Sequence, residues 1–441
     1  MRLITTLLLV CALVVVAGFV FLWSTSQPPI AAIAPPAPDS FAKDTVRRGA
    51  ALAALGNCAS CHTAEGGRTF AGGRPIATPF GTLYGTNITP DPDSGIGRWS
   101  EAAFLRALRD GVDRDGNHLY PAFPYDHFTR MSDDDAQALY AYLMTRDPVA
   151  ARPPANHLAF PLSVRPLVAA WKLLFFTEGR YTGDGVRNAE LDRGAYLVET
   201  VAHCGACHTP RNALGAEQRN RAFAGGTVQG WIAPPIDKTS PAPVSWTDEE
   251  LHAYLRAGHD RLHGASGGPM AEVSRNLALA DDRDVRAIAA YVGSRMGLPE
   301  KERDRRAKEL ISALPPAEAP RPARAETVGA GIPRSPGEAI YAGACASCHD
   351  AAGTGRDRGL NLSLSTAVRL PEPDNVLHVV RDGIHPPAGE RGAIMPPFGG
   401  TLTDRQIADV TNFVRTGFGR QAPWDDVGGA LARLRGGEAR R

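Results

Sequence analysis

Hydrophobic and polar positions along the chain repeat in three similar stretches, each containing one Cys-x-x-Cys-His pentapeptide. A short helical pattern precedes each pentapeptide, and two amphipathic helical patterns follow it. Ser100 and Thr247 are suitable N-caps for the middle patterns, with Glu250 at the capping-box spacing from Thr247. The closing patterns carry a late aromatic residue and run from Ser132 to Tyr142, from Asp281 to Tyr291 and from Thr403 to Phe413. Three tandem copies of one small all-α domain are therefore predicted.

The three stretches and the segments around them divide the chain into predicted parts. The domains are placed at 44–147, 191–298 and 336–424, with a Pro/Ala-rich stalk at 26–43, an apolar connector at 148–190, a linker at 299–335 and a tail at 425–441. The connector either packs against the domains beside it or forms a docking surface for a partner subunit or a bilayer.

The segment 1–25 contains an almost unbroken apolar run from Leu3 to Trp23. About 20 apolar residues suffice to cross the hydrocarbon core of a bilayer. The run predicts one N-terminal transmembrane helix, with a cleaved signal peptide as the alternative. Both interpretations export the rest of the chain, so we expect it on the periplasmic side of a bacterial inner membrane, anchored by that helix.

The charges of the chain nearly cancel, because 48 Lys and Arg residues face 47 Asp and Glu residues. The chain has no excess of positive charge that would attract the phosphates of a nucleic acid, so no nucleic-acid partner is expected. No nucleophile–base constellation, phosphate-binding loop or dinucleotide motif stands out. The chemistry is concentrated in the cysteines: six of the seven belong to the pentapeptides, and Cys11 lies in the apolar run.

Each pentapeptide has the spacing of a covalent attachment site for haem c. Two thiols one helical turn apart add to the two haem vinyl groups, and the adjacent histidine reaches the iron from one face. The attachment residues are Cys58, Cys61, Cys204, Cys207, Cys345 and Cys348, and the iron ligands are His62, His208 and His349. A redox Cys-x-x-Cys would need a βαβ context, zinc would need a second cysteine pair, and disulfides would not explain the histidines. Three covalently bound haem c groups are therefore predicted, and the plan is that of small cytochrome c domains.

The opposite face of each iron needs a second ligand, and methionine is the usual candidate in cytochromes c. Met270 in the second domain and Met395 in the third lie in loops shortly before the last helix. We predict that both coordinate iron, packing in a core being the alternative for each side chain.

The first domain departs from this pattern, because Phe123 stands where the second domain has Met270. Phenylalanine cannot coordinate iron. Met131 is the leading candidate for the ligand, His127 is the next, and an open or weakly ligated iron is the third alternative. An open iron would favour another class of protein, a peroxidase-like haem enzyme.

Further segments resemble the three-haem cytochrome c subunit of membrane-bound dehydrogenases in the bacterial periplasm. The resemblance extends from Asp44 to Trp424. It is carried by Thr78-Pro79-Phe80-Gly81, Thr86-Asn87-Ile88-Thr89-Pro90-Asp91, Leu119-Tyr120-Pro121-Ala122, Cys207-His208-Thr209-Pro210-Arg211-Asn212, Gly268-Pro269-Met270-Ala271 and Ile394-Met395-Pro396. It implies that the chain accepts electrons from a separate catalytic subunit and delivers them to ubiquinone or a terminal oxidase.

The catalytic partners differ between branches of this family. The resemblance implies a quinoprotein alcohol dehydrogenase, a flavin-dependent gluconate or sugar dehydrogenase, or a molybdenum and iron–sulfur hydroxylase for aldehydes or N-heteroaromatics such as nicotinate. The Tyr-Pro-Ala-Phe-Pro-Tyr segment at 120–125 and the apolar stretch at 166–176 are more similar to the molybdenum branch. We expect an electron-transfer subunit that does not itself oxidise the substrate. A respiratory shuttle without a dedicated dehydrogenase is the remaining alternative.

Overall fold

The computed structural model describes residues 4, 6, 25–260, 262–313, 335–349, 360–386, 392 and 394–438. About 48% of it is helical. The chain forms two compact units, Met1–Thr182 and Gly183–Arg441. The first unit holds the first predicted domain, and the second unit holds the other two.

The helices of the first unit begin and end where the sequence provides caps. They are α1 (Lys43–Leu55), α2 (Cys58–His62), α3 (Glu101–Asp110), α4 (Tyr125–Phe128), α5 (Asp133–Met144) and α6 (Val168–Phe175). The Ser100 side chain accepts a hydrogen bond from the amide of Ala103, which confirms the predicted cap of α3. Gly111 ends α3 in the left-handed conformation that glycine adopts without steric penalty.

The helices of the second unit follow the same plan twice. They are α7 (Ala189–Tyr196), α8 (Gly205–His208), α9 (Asp248–Ala257), α10 (Gly268–Leu277), α11 (Asp282–Arg295), α12 (Glu300–Ala313), α13 (Pro336–Ile340), α14 (Ala346–His349), α15 (Asp374–Asp382), α16 (Asp404–Gly417) and α17 (Val427–Glu438). The capping box of Thr247 and Glu250 is present as predicted, and Thr403 with Gln406 forms a second one. Short π-helical segments, Leu197–Val201 and Tyr341–Cys345, extend α7 and α13 towards the motifs.

Short antiparallel strands interrupt the helices in both units. They are β1 (Pro75–Thr78), β2 (Gly81–Tyr84), β3 (His157–Leu158), β4 (Gly226–Val228), β5 (Trp231–Ala233), β6 (His259–Asp260) and β7 (Gly264–Ala265). β2 pairs with both β1 and β3, while β4–β5 and β6–β7 are separate hairpins. The β1–β2 and β4–β5 hairpins each follow a Cys-x-x-Cys-His motif in the chain.

A close helix crossing recurs in all three predicted domains, where a glycine of the first helix lies against the last helix. A Cβ atom placed on Gly49, Gly194 or Gly337 would lie 1.9, 2.0 or 2.2 Å from the carbonyl oxygen of Ala138, Ala287 or Asp409, respectively. The same positions also face the late aromatic residues Tyr142, Tyr291 and Phe413. Only glycine allows two helix backbones to approach this closely, so this crossing defines a shared architecture of the three domains.

The connector packs onto the first domain through buried polar side chains. Asn87 is 3% exposed, and its amide nitrogen donates to the carbonyl of Val149 at 2.7 Å. Lys172 of α6 is also buried and donates to the carbonyl of Gly111 at 2.7 Å, at the C-terminal end of α3. A cation is favourable there because the unpaired carbonyls carry partial negative charge.

The predicted linker and tail both contain helices. The linker includes α12, while residues 314–334 lie outside the described part of the chain. The tail includes α17, in which Ala430 and Leu431 are 0% and 1% exposed. They pack in the core of the third domain, whose buried members include Tyr341, Ile407 and Trp424.

The predicted transmembrane helix is not supported, and the fold class is corrected accordingly. Among the residues described, no helix has the length and apolarity needed to span a bilayer. Of the run from Leu3 to Trp23, only Ile4 and Thr6 belong to the described residues. The prediction took the number of apolar residues as its criterion, and that number permits a membrane span without requiring one. The prediction of a fold that begins with a membrane helix was therefore wrong, whereas the helical domains are present.

Candidate haem-attachment sites

The cysteines of each motif lie three residues apart, the first at or just before the start of a short helix and the second within it. In the first motif, Asn57 has a φ of 52° and turns the chain into α2, which runs from Cys58 to His62. All six motif cysteines are free thiols. Burial, and to a smaller extent the second cysteine of each pair, raises the pKa of Cys58 and of Cys204 to about 12. At neutral pH these thiols are protonated, which argues against a dithiol redox centre that works through a thiolate.

The three motif histidines share one hydrogen-bonding arrangement. Each imidazole places Nδ1 within hydrogen-bond distance of a backbone carbonyl further along the chain. The pairs are His62 with Thr86 at 2.7 Å, His208 with Pro234 at 2.7 Å and His349 with Leu360 at 2.9 Å. Because a carbonyl oxygen only accepts, Nδ1 carries the proton and Nε2 keeps its lone pair. This is the tautomer and orientation that a metal-ligating histidine needs.

The histidines of the first two motifs are also held in the neutral form. Burial lowers the pKa of His62 and of His208 below the ordinary imidazole value, although the contacts with the carbonyls of Thr86 and Pro234 act in the opposite direction. A neutral imidazole is the form that coordinates a metal. The lowered pKa and the tautomer therefore both favour coordination of a metal through Nε2.

The hairpins hold these carbonyls in place by passing directly over the motif helices. A Cβ atom on Gly85 would lie 1.7 Å from the carbonyl oxygen of Cys61, and one on Gly226 would lie 2.4 Å from that of Cys207. Glycine is required at both positions because the backbones touch. The segment after β2 then reaches Thr86, and the segment after β5 reaches Pro234.

The predicted methionine ligands occupy different environments. Met270 lies in the first turn of α10 and not in the predicted loop, and it is partly buried. Met395 is also partly buried, and its amide donates to the carbonyl of Ile384 at 2.8 Å while its carbonyl accepts from the amide of Ile384 at 2.9 Å. A thioether that is only partly covered by protein remains available to a cofactor. Coordination by these two residues stays a prediction.

The first domain has an aromatic cluster at the corresponding place. Phe123 is partly buried, and its ring centroid lies 5.5 Å from that of Phe128. His127 is partly buried in α4, whereas Met131 is only 1% exposed and thus covered by protein atoms. The hydroxyl of the fully buried Tyr125 has no hydrogen-bond partner among the described residues. The ligand of the first iron therefore stays open between Met131, His127 and no side chain.

The residues of each motif fit a covalently attached haem c. Two thiols suit thioether bonds to the vinyl groups, and an imidazole whose Nδ1 is bonded to a carbonyl can offer Nε2 to the iron. Such a haem, when bound, supplies one-electron oxidation and reduction. The arrangement defines the molecule as a c-type cytochrome.

Comparisons with known proteins agree with this class. Residues 46–147 match the family model described as cytochrome c. Residues 333–414 match the model described as cytochrome c oxidase, cbb3-type, subunit III. These ranges contain the first and the third Cys-x-x-Cys-His motifs.

Three relatives identify the family more closely. A nicotinate dehydrogenase component of Pseudomonas putida is 43% identical over 410 residues, which are 92% of this chain and 33% of that relative. The fructose dehydrogenase cytochrome subunit of Gluconobacter japonicus is 37% identical over 87% of this chain and 81% of its own length. The cytochrome c subunit of the quinone-type alcohol dehydrogenase of Gluconobacter oxydans is 35% identical over 88% and 82%, respectively. The chain belongs to the family of cytochrome c subunits of bacterial dehydrogenases, as its motifs predict.

Two parts of the site escaped prediction from the sequence. The carbonyl partners of the histidines come from Thr86, Pro234 and Leu360, and no side-chain pattern marks a backbone acceptor. The glycines that let the hairpins approach the motifs, Gly85 and Gly226, were equally unremarkable among 46 glycines. Gly85 lies after the second strand of its hairpin and Gly226 at the start of the first strand of its hairpin, so no constant spacing from the motifs marks them in the sequence.

Proposed function

We propose that this chain carries three haem c groups, one on each motif, and relays electrons from a separate dehydrogenase to a respiratory acceptor in the bacterial periplasm. The observation that carries the proposal is the arrangement shared by His62, His208 and His349. Each donates from Nδ1 to a backbone carbonyl and keeps Nε2 for iron. A motif that arose by chance would not reproduce this geometry three times.

The number of haems is tested by removing one attachment site at a time. We expect three haems per chain in the wild type and two in each of the double variants Cys58→Ala/Cys61→Ala, Cys204→Ala/Cys207→Ala and Cys345→Ala/Cys348→Ala. Intact-mass spectrometry and a pyridine haemochrome assay give the count. Cys11→Ala is the matched control and should retain all three haems. Two haems in the wild type, or no loss in one double variant, would contradict the proposal.

For the electron donor, we propose a dehydrogenase of the molybdenum and iron–sulfur type that oxidises nicotinate or a related N-heteroaromatic compound. The segment around Phe123 resembles that branch, and the nicotinate dehydrogenase component of P. putida shares 43% identity with 92% of this chain. The chain spans 33% of that relative's length. We place the oxidising site on a separate catalytic subunit because the resemblance to this family implies one. Ubiquinone or a terminal oxidase is the proposed acceptor.

The donor is tested by native pull-down of the tagged cytochrome from its own host, with mass spectrometry and metal analysis of the proteins bound to it. We expect a larger subunit that contains molybdenum and iron–sulfur clusters and reduces the haems when nicotinate is added. A quinoprotein or flavoprotein in its place would overturn the assignment of the branch. Recovery of the cytochrome alone would favour a shuttle without a dedicated dehydrogenase.

A further inference from the structure

An aromatic stack joins the second and third domains within the Gly183–Arg441 unit. The indole of Trp231, in β5 of the second domain, stacks on the imidazole of His378, in α15 of the third. Their ring centroids are 4.3 Å apart and the planes are inclined by only 6°. His378 is 8% exposed, and its Nε2 and Nδ1 lie 3.2 Å from Gly230 O and 3.1 Å from Asp382 Oδ2. The imidazole is therefore held at both edges as well as on one face.

A side-chain amide fixes the register of the same two elements. Asn375 lies one turn before His378 in α15, so both side chains project from one face of the helix. The Asn375 Nδ2 donates to the carbonyl of Ile232 at 2.8 Å, and the amide of Ile232 donates to Asn375 Oδ1 at 2.8 Å. The side-chain amide of Asn375 thus bonds to the backbone of β5 as a neighbouring strand would. These two hydrogen bonds fix the position of α15 along the β4–β5 hairpin.

The indole of Trp231 also lies against the segment that leads to Met270. A Cβ atom on Gly267 or Gly268 would lie 2.7 or 2.4 Å from atoms of that ring, so the backbone is in direct contact with the indole. The helix that carries His378, α15, is followed by Gly383, where a Cβ atom would lie 2.4 Å from the carbonyl oxygen of Met395. Each of the two elements that form the stack therefore contacts, itself or through the residue that follows it, a segment that carries a predicted methionine ligand.

A second contact links the domains near the third motif. Leu360, whose carbonyl accepts from His349, directs its side chain at Gly264 in β7 of the second domain. A Cβ atom on Gly264 would lie 2.9 Å from Leu360 Cδ2. Leu262, beside this glycine, is 4% exposed and belongs to a core cluster with Leu364 of the third domain. Both haem sites of this unit are thus supported by residues of the interface.

We propose that Trp231 is a positioning residue that holds the second and third haems at a fixed separation for the electron step between them. The inference rests on the proposed three-haem relay. In this step one electron leaves the reduced iron of one domain and reduces the oxidised iron of the other, with no transfer of atoms. The rate of such a step depends on the geometry of the two sites, and a rigid interface defines that geometry.

The test compares two Trp231 variants with a matched stack elsewhere. Trp246 stacks on His263 with centroids 3.4 Å apart and planes inclined by 10°, but both residues belong to the second domain. In the haem-loaded protein, Trp231→Leu removes the stack between domains, Trp231→Phe restores a ring, and Trp246→Leu removes the stack within one domain. Asn375→Asp serves as an independent variant, because it keeps the acceptor for Ile232 and loses the donor.

Two measurements are made on each variant. The first is hydrogen exchange of the Ile232 amide, whose acceptor is Asn375 Oδ1 and which therefore reports opening of the interface. The second is the rate of electron equilibration between the second and third haems after photoreduction. We expect Trp231→Leu to speed the exchange about tenfold, from the loss of one aromatic stack, and to slow the equilibration. Asn375→Asp should likewise speed the exchange and slow the equilibration. Trp231→Phe should bring both rates most of the way back to the wild-type values, and Trp246→Leu should leave both rates near those values.

The outcomes separate this inference from the proposed function. Three haems with wild-type exchange and equilibration in Trp231→Leu would overturn the role of Trp231 while leaving the relay intact. A loss of equilibration in Trp246→Leu equal to that in Trp231→Leu would also overturn it, because general destabilisation would then explain both. A haem count other than three in the wild type would contradict the relay itself.

Discussion

The buried guanidinium of Arg303 offers the sharpest test of how the second unit is held together. Arg303 lies near the start of α12, and its side chain is 2% exposed. It donates to the carbonyl of Trp246 at 2.7 Å, to Asp248 Oδ1 at 2.8 Å and to the carbonyl of Leu298 at 3.3 Å. The Asp248 side chain is 23% exposed. Arg303 thus links α12, the helix of the predicted linker, to the N-terminus of α9 through hydrogen bonds and an ion pair.

Replacing Arg303 with methionine preserves much of the volume and removes the charge. Breaking one side of a buried ion pair destabilises a protein by about 3–5 kcal/mol, and the partial exposure of Asp248 favours about 3 kcal/mol. For a unit of this size the melting temperature should fall by roughly 10 °C at pH 7. The double variant Arg303→Met/Asp248→Leu should recover most of the loss, because no unpaired charge remains.

The pH dependence of this loss has a definite sign. Burial raises the pKa of Asp248 above its ordinary value, even though the hydrogen bond and the charge of Arg303 lower it. A carboxyl group with a raised folded-state pKa destabilises the fold once the pH exceeds that pKa, and it ceases to do so below the unfolded-state value. Removing Arg303 raises the pKa further, so the deficit of Arg303→Met should be largest at neutral pH and shrink towards pH 4.

Differential scanning calorimetry of the haem-loaded protein between pH 4 and 8 measures these effects. Arg305→Met is the matched control, since Arg305 lies in the same helix but pairs with Glu302 and Glu309 at the surface. Its change should stay within about 1 kcal/mol at every pH. A deficit for Arg303→Met that is equally small, or one that grows as the pH falls, would refute the reasoning.

Three further predictions concern the helix crossing and the iron ligands. In thermal melts, Gly194→Ala should destabilise the second domain by about 1–3 kcal/mol, because the new Cβ would lie 2.0 Å from the carbonyl oxygen of Ala287. The control Gly428→Ala should be neutral or slightly stabilising, because no atom lies within 4 Å of its Cβ. Met270→Leu and Met395→Leu should each produce a high-spin fraction in the ferric absorption spectrum, whereas the buried Met144→Leu should not, and an unchanged spectrum would exclude that methionine as a ligand. In the first domain, Met131→Leu and His127→Ala should differ in the same spectrum, and whichever variant becomes high-spin identifies the ligand; high-spin iron that binds cyanide in the wild type would instead indicate an open site.

The local features of this protein could be predicted from the sequence because they depend on neighbouring residues. The cap at Ser100 and the capping box at Thr247 follow from side chains that bond to amides three residues away. Each pentapeptide is likewise recognised from five consecutive residues. The family follows as well, since its motifs extend over most of the chain.

The remaining features depend on contacts between distant residues, which no spacing rule contains. Asn375 and Ile232 are 143 residues apart in the chain, and nothing in either segment marks the pairing. The helix α17 lies in a glycine-rich tail of low helix propensity, and burial of Leu431 in the third domain overrides that propensity. Propensity and pattern describe a segment by itself, whereas these residues take their conformation from what covers them.

The carbonyl acceptors of the motif histidines have a consequence for how the family can change in sequence. The residues that supply them are threonine, proline and leucine, located 24, 26 and 11 positions after their histidines. A backbone oxygen survives any substitution that leaves the path of the chain intact. Substitutions at these positions therefore leave the orientation of each imidazole unchanged. The loops that supply the carbonyls can differ in length and composition while the histidine ligand stays the same. An engineer who wishes to retune one iron can therefore vary positions 86, 234 and 360 for packing or polarity without losing the hydrogen bond that orients its histidine.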